Sequence, residues 1–97
     1  MQDQPSRDSR LPRATRSVAE IQDWLVAMIA GELGISPDQI HLDRTILSFG
    51  VDSMQVVSFV ANLEDWLGIR FTENPLEEHP TVESLSVYAN QIANEQI

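Results

Sequence analysis

The sequence contains no cysteine, which excludes disulfide bonds, thiolate metal sites and thiol redox chemistry. Its absence fits a reducing compartment without proving one. Glycine and proline are also few, with four and five residues in a chain of 97. This composition is typical of a globular domain, and the length suffices for one small domain without a deep enclosed active site.

Long apolar runs are missing as well. A representative run covers only residues 24–30, far short of the roughly 20 residues that span a bilayer. The first residues contain no apolar core between basic residues and a cleavage site, so we expect no signal peptide. The sequence therefore predicts no membrane association and a cytoplasmic location.

Basic charge is scarce, and all of it is arginine. Six arginines stand against 15 acidic residues, which gives a formal net charge of −9. Residues 17–97 hold 13 acids against Arg44 and Arg70, a net of −11. Such an acidic body repels nucleic acid and anionic membranes and is steered toward basic protein surfaces. The alternative is that the acidity only keeps a small domain in solution.

The other four arginines lie within residues 1–16, beside two prolines and two serines. No apolar periodicity is found there, so these residues are predicted to form a flexible tail or an interdomain linker. An arginine-rich tail can also bind an acidic partner, and both interpretations stay open.

Apolar residues recur at helical spacing from Ser17 onward and predict three main helices. The first begins with a capping box of Ser17 and Glu20 and ends at Gly34. The elements expected after it are a helix that begins behind the N-cap Asp52 and runs to about Leu67, a short helical turn at 74–79 and a last helix at about 82–94. The inner face predicted for the last helix consists of Val82, Leu85, Tyr88, Ala89 and Ile92.

Between Gly34 and Asp52 no period is sustained. We expect this long first loop to be pinned across the helices by six apolar side chains, namely Ile35, Ile40, Leu42, Ile46, Leu47 and Phe49. The chain is therefore predicted to be all-α, a small bundle of three main helices plus one short helix with a long first loop, over residues 17–97.

Ser53 has the clearest chemical setting in the sequence. It is predicted at the first position of the second helix, behind the acidic N-cap Asp52 and ahead of Met54. A phosphate bonded to this serine would lie against free backbone N–H groups and the positive end of the helix dipole, an arrangement worth roughly 0.3–1 kcal/mol. This position therefore suits a phosphodiester.

A catalytic serine is not indicated. The hydrolase motif G-x-S-x-G requires a glycine where Gln55 stands, and no strand precedes the serine. Neither His41 nor His79 has a spacing that suggests contact with Ser53 as a base. We therefore expect no catalytic residue, no metal site and no enzymatic activity.

A simpler interpretation of Asp52 and Ser53 is helix capping alone. A second apolar strip, formed by Met54, Val57 and Ala61, weakens that interpretation because it is rotated away from the core stripe and begins beside Ser53. Exposed apolar residues in a row indicate a surface for partner recognition. The alternative is that this side of the helix packs on the last helix.

Four segments of the chain match a known family in order. Residues 50–54 (GVDSM) resemble the G-x-D-S-L signature of acyl carrier proteins, especially those of polyketide synthases. The other matches are 63–69 (LEDWLGI) to the end of the family's second helix, 80–85 (PTVESL) to the start of its last helix, and 40–43 (IHLD) to the I-x-x-D stretch of its first loop. The resemblance covers essentially residues 17–94.

This resemblance implies that a phosphopantetheinyl transferase moves a 4′-phosphopantetheine arm from coenzyme A to the hydroxyl of Ser53. The thiol of the arm then carries acyl groups as thioesters between enzymes of polyketide or related lipid biosynthesis. Asp52 would orient the serine and meet the transferase and its magnesium. The implied partners are acyl-loading and acyl-processing enzymes, namely a ketosynthase, an acyltransferase or an acyl-adenylate ligase, and a monomer is expected.

The sequence departs from the family at Met54, where leucine is usual. Gln55, Ser58 and Asn62 stand where carriers of fatty acid synthases are often acidic, which favours the polyketide type. The alternatives are a helical protein-interaction domain with no prosthetic group and a peptidyl carrier domain, whose usual signature is G-G-x-S.

Overall fold

The computed structural model describes residues 16–95, and helix α1 spans Val18–Leu33 within them. Its start is the predicted capping box: the Ser17 N–H donates to Glu20 Oε1 over 2.8 Å, and the Glu20 N–H donates to Ser17 Oγ over 3.1 Å. Gly34 ends the helix in a left-handed conformation, φ 68°, and its N–H donates to the Ala30 carbonyl. The predicted first helix is confirmed at both ends.

Helix α2 spans Ser53–Leu67 and helix α3 spans Val82–Glu95. Helix α1 packs chiefly against α3, and all three helices contribute to one core. The part of the chain that the structure describes has no strand, only an isolated bridge between Thr45 and Thr81. The all-α bundle is confirmed.

The long first loop is more ordered than predicted, with short 3₁₀ helices at Pro37–Gln39 and Ile46–Phe49. The prediction that all six apolar side chains pin this loop was wrong for two of them. Ile40 and Ile46 are buried, whereas Leu42 is 37% exposed and Leu47 is 57% exposed. Successive residues of a 3₁₀ helix point about 120° apart, so burying Ile46 turns Leu47 outward.

Backbone hydrogen bonds attach this loop to the start of α3. The Ile46 N–H donates to the Pro80 carbonyl over 2.7 Å, and the Glu83 N–H donates to the Leu42 carbonyl over 3.1 Å. Because the loop leads directly into α2, these bonds also fix the approach to Ser53.

The predicted short helix is a 3₁₀ turn at Pro75–Glu77, and Asn74 Oδ1 caps it by accepting the Leu76 N–H over 3.0 Å. The predicted inner face of α3 was incomplete. Ser86 and Ala93 are also buried, whereas Tyr88 and Ile92 are half-buried.

Arg16, the last residue of the predicted tail, contacts the helices. Its guanidinium lies 4.3 Å from the centroid of a Trp66 ring, and Trp66 stacks on Trp24 with the ring centroids 5.0 Å apart. The Asn90 side-chain amide donates to the Arg16 carbonyl over 2.9 Å. The rest of the predicted tail, residues 1–15, lies outside the described residues.

Within residues 16–95, no helix is both long enough and apolar enough to cross a membrane.

Candidate functional site

Ser53 is the first residue of α2, and it is exposed to solvent. Asp52 caps the helix in front of it: Asp52 Oδ1 accepts the Gln55 N–H over 2.8 Å, and Gln55 Oε1 accepts the Asp52 N–H over 2.9 Å. Gln55 is thus part of a second capping box next to Ser53. This role was not predicted, although the D-x-x-Q spacing indicates such a box. The helix itself uses neither the N–H of Ser53 nor that of Met54.

A tight turn places Ser53 at the surface. Gly50 ends the preceding 3₁₀ helix with φ 97°, and its N–H donates to the Leu47 carbonyl over 3.1 Å. Residues other than glycine rarely adopt this backbone conformation. Val51 then enters the core, 7% exposed, and anchors the chain so that the next two residues face solvent.

The second apolar strip of α2 is exposed, as the sequence predicted. Met54 is 74% exposed and Val57 is 64% exposed, and Ala61 is exposed on the same side. These residues therefore do not pack on the last helix, which was the alternative.

A groove runs from Ser53 along α2, between this helix and the segment that contains the Pro75–Glu77 turn. It consists of two adjacent parts of about 330 Å³ each, which share Val56, Val57 and Asn74. Leu47 and Leu76 line the part that contains Ser53. At the far end the Phe71 N–H donates to Glu64 Oε2 over 2.8 Å.

Leu47 is the site residue whose predicted role was wrong. It was predicted to pin the loop to the core, but it is exposed and lines the same part of the groove as Ser53. No signal in the sequence separates it from Ile46, because both are apolar neighbours in a segment without a sustained period.

The two histidines lie in settings of their own. His79 stacks on Tyr88 with ring centroids 4.2 Å apart, and His41 is exposed in the first loop. In the described part of the chain neither histidine forms a hydrogen bond with Ser53, and no cluster of three His, Cys, Asp or Glu side chains is placed to hold a metal ion. The arrangement offers an exposed hydroxyl at the positive end of a helix dipole, a position that fits a covalently held phosphate.

Comparisons with known proteins agree with this geometry. A family model described as "Phosphopantetheine attachment site" matches residues 23–89. The chain is 32% identical over 74 residues to the acyl carrier protein TtuC of Teredinibacter turnerae, an alignment that covers 76% of this chain and 85% of TtuC.

The chain is also 30% identical over 84 residues to a component of the phenolphthiocerol/phthiocerol polyketide synthase of Mycobacterium tuberculosis. That alignment covers 87% of this chain but only 4% of the synthase component. Among solved structures, a free-standing peptidyl carrier protein of Acinetobacter baumannii superposes with a TM-score of 0.69 at 25% identity, covering 84% of this chain and 98% of that one.

Proposed function

The chain belongs to the phosphopantetheine attachment family, and from this premise we propose that Ser53 is the serine that bears the arm. The protein is an acyl or peptidyl carrier domain and not an enzyme, since members of the family carry substrates on a prosthetic arm and do not transform them. Its cofactor is 4′-phosphopantetheine, held covalently on a serine.

The state of the serine hydroxyls supports the choice of Ser53. Six serines lie within the matched residues 23–89, namely Ser36, Ser48, Ser53, Ser58, Ser84 and Ser86. Four of them have hydroxyls engaged by Asp38, the Thr45 carbonyl, Thr81 and the Glu83 carbonyl, respectively. Within residues 16–95, the hydroxyls of Ser53 and Ser58 form no hydrogen bond, and both residues are exposed.

Position separates these two. Ser58 lies inside α2, where the backbone N–H groups are used by the helix, whereas Ser53 lies at its first position. An anion on Ser53 would meet free N–H groups and the positive helix end, which an anion on Ser58 would not. This difference is the observation that carries the proposal.

The arm needs chemistry that this chain does not supply. We propose that a phosphopantetheinyl transferase attaches it, with Asp52 orienting the serine and meeting the transferase and its magnesium. Ser53 Oγ loses its proton and bonds to the phosphorus of the phosphopantetheine group, while the pyrophosphate bond of coenzyme A breaks and adenosine 3′,5′-bisphosphate leaves. When bound, the arm supplies a terminal thiol that holds the acyl group as a thioester. The chain itself presents the attachment point at a capped helix end and offers Met54, Val57 and Ala61 for partner recognition.

Carrier domains of polyketide synthases interact with the enzymes of the synthase. The particular partners that we propose are a ketosynthase and either an acyltransferase or an acyl-adenylate ligase, in polyketide or related lipid biosynthesis in the cytoplasm. The peptidyl carrier alternative rests on the superposition with the Acinetobacter baumannii protein. The family match favours a carrier over an interaction domain with no prosthetic group.

Stepwise acyl loading tests the proposed function. The chain is treated with coenzyme A and a broad-specificity transferase, then with ATP, a fatty acid and an acyl-adenylate ligase, and its intact mass is followed. We expect the mass of one arm and then of one acyl group, and neutral hydroxylamine should remove the acyl group because it cleaves thioesters. A chain that gains no arm would instead be an interaction domain with no prosthetic group.

A further inference from the structure

Leu47 is an apolar side chain held in solvent by a fixed backbone. Its neighbour Ile46 is fully buried, while Leu47 itself is 57% exposed. The Ile46 N–H donates to the Pro80 carbonyl over 2.7 Å, and the Leu47 carbonyl accepts the Gly50 N–H over 3.1 Å. Leu47 therefore cannot reach the core without unwinding the turn that leads to Ser53.

The exposed side chain comes from the loop before Ser53, whereas the apolar strip comes from α2, which begins at Ser53. Leu47, Ser53 and Val57 line the same part of the groove, and Met54 follows Ser53 directly. We define the mouth patch as Leu47, Met54 and Val57, which are 57%, 74% and 64% exposed. Exposed apolar side chains from both the loop and the helix therefore surround the proposed attachment serine.

We propose that Leu47 is a contact residue for the phosphopantetheinyl transferase and forms the loop side of its docking surface. This inference rests on the proposed function, because it presumes that Ser53 receives the arm. A transferase that brings coenzyme A to Ser53 Oγ must cover the surroundings of that atom, and Leu47 lines the same part of the groove as Ser53. Because the turn is already ordered by backbone hydrogen bonds, docking on Leu47 costs little conformational entropy.

Charge disfavours a second copy of the chain as the occupant of the mouth patch. The protein has a formal net charge of −9, and Asp52 and Glu77 lie at the patch itself. Two such surfaces would repel each other, whereas a partner with an apolar pocket and a basic rim would be attracted.

The test measures arm transfer by a single transferase to wild type, Leu47→Ala and Leu47→Gln at varied carrier concentration. Glutamine keeps the size and adds no charge, so it does not repel the anionic coenzyme A. Leu42→Gln is the matched control, because Leu42 is a 37% exposed leucine of the same loop that does not line the groove. Circular dichroism and thermal unfolding accompany each variant.

We expect both Leu47 variants to lower kcat/KM for the carrier by about tenfold, the effect of withdrawing most of one leucine from an apolar contact. The loss should take the form of a raised KM for the carrier with an unchanged KM for coenzyme A. Leu42→Gln should accept the arm with the kcat/KM of wild type, and the melting temperatures of all variants should stay close to that of wild type.

Three results would overturn the inference. The first is a kcat/KM for Leu47→Gln equal to that of wild type or of Leu42→Gln. The second is a raised KM for coenzyme A in place of a raised KM for the carrier. The third is a wild-type dimer that Leu47→Gln dissociates, since the patch would then lie between two copies. Failure of the proposed function is distinguishable, because wild type itself would then gain no arm or would gain it at another residue.

Discussion

Asp52 caps α2 in the structure, and substitution separates this cap from the recognition role that we propose for its carboxylate. Asp52→Ala removes the 2.8 Å bond from the Gln55 N–H and should cost about 1 kcal/mol of unfolding free energy. Asparagine caps helices as well as aspartate does, so Asp52→Asn loses only the charge at the positive helix end, about 0.3–1 kcal/mol. For a domain of this size, about 1 kcal/mol lowers the melting temperature by roughly 4–8 °C.

The assay is thermal unfolding together with the initial rate of arm transfer. If the carboxylate meets the transferase, Asp52→Asn should accept the arm at least about tenfold more slowly than wild type, equivalent to about 1.4 kcal/mol. Its melting temperature should fall by less than that of Asp52→Ala. Ser17→Ala is the control, because Ser17 Oγ provides the equivalent cap of α1 over 3.1 Å; it should lose stability but transfer normally. Transfer to Asp52→Asn at the wild-type rate would refute the recognition role and leave capping alone.

Three further predictions concern residues around the bundle. Met54→Leu should accept the arm at a rate within about tenfold of that of wild type, because the two side chains are similar in volume. Met54→Glu should accept it much more slowly with an unchanged circular dichroism spectrum; unfolding of Met54→Glu would place Met54 in the core. Arg16→Ala should lose the cation–π contact with Trp66, worth about 0.5–2 kcal/mol, and its melting temperature should fall by several degrees. Deleting residues 1–15 should leave the melting temperature unchanged. Equal melting temperatures of wild type and Arg16→Ala would contradict this prediction. Gly50→Ala should cost about 1–2 kcal/mol through its left-handed backbone alone, since an added Cβ meets nothing within 4 Å, and an unchanged denaturant midpoint would argue against that strain.

Local chemistry explains which parts of the fold the sequence predicts. The capping box of Ser17 and Glu20 and the glycine at residue 34 act within a few residues, so they fix the ends of α1 before any tertiary contact is known. The exposure of Met54 and Val57 follows from helical phase, because their positions lie off the core stripe of α2.

The remaining features depend on contacts between distant segments. Leu47 is exposed because the Pro80 carbonyl holds the neighbouring Ile46 and so sets the rotation of a 3₁₀ turn. Arg16 contacts Trp66, which is 50 residues away in sequence, and no local pattern predicts such a pairing. Helical spacing fixes the phase of a long amphipathic helix, but it does not fix the phase of a four-residue turn.

The most direct test of the central claim is the intact mass of three proteins after incubation with coenzyme A and a broad-specificity transferase. The proteins are wild type, Ser53→Ala and Ser58→Ala, the last being the other serine of α2, exposed like Ser53. We predict that wild type and Ser58→Ala each gain the mass of one phosphopantetheine arm and that Ser53→Ala gains none. An arm on Ser53→Ala, or none on wild type, would contradict it.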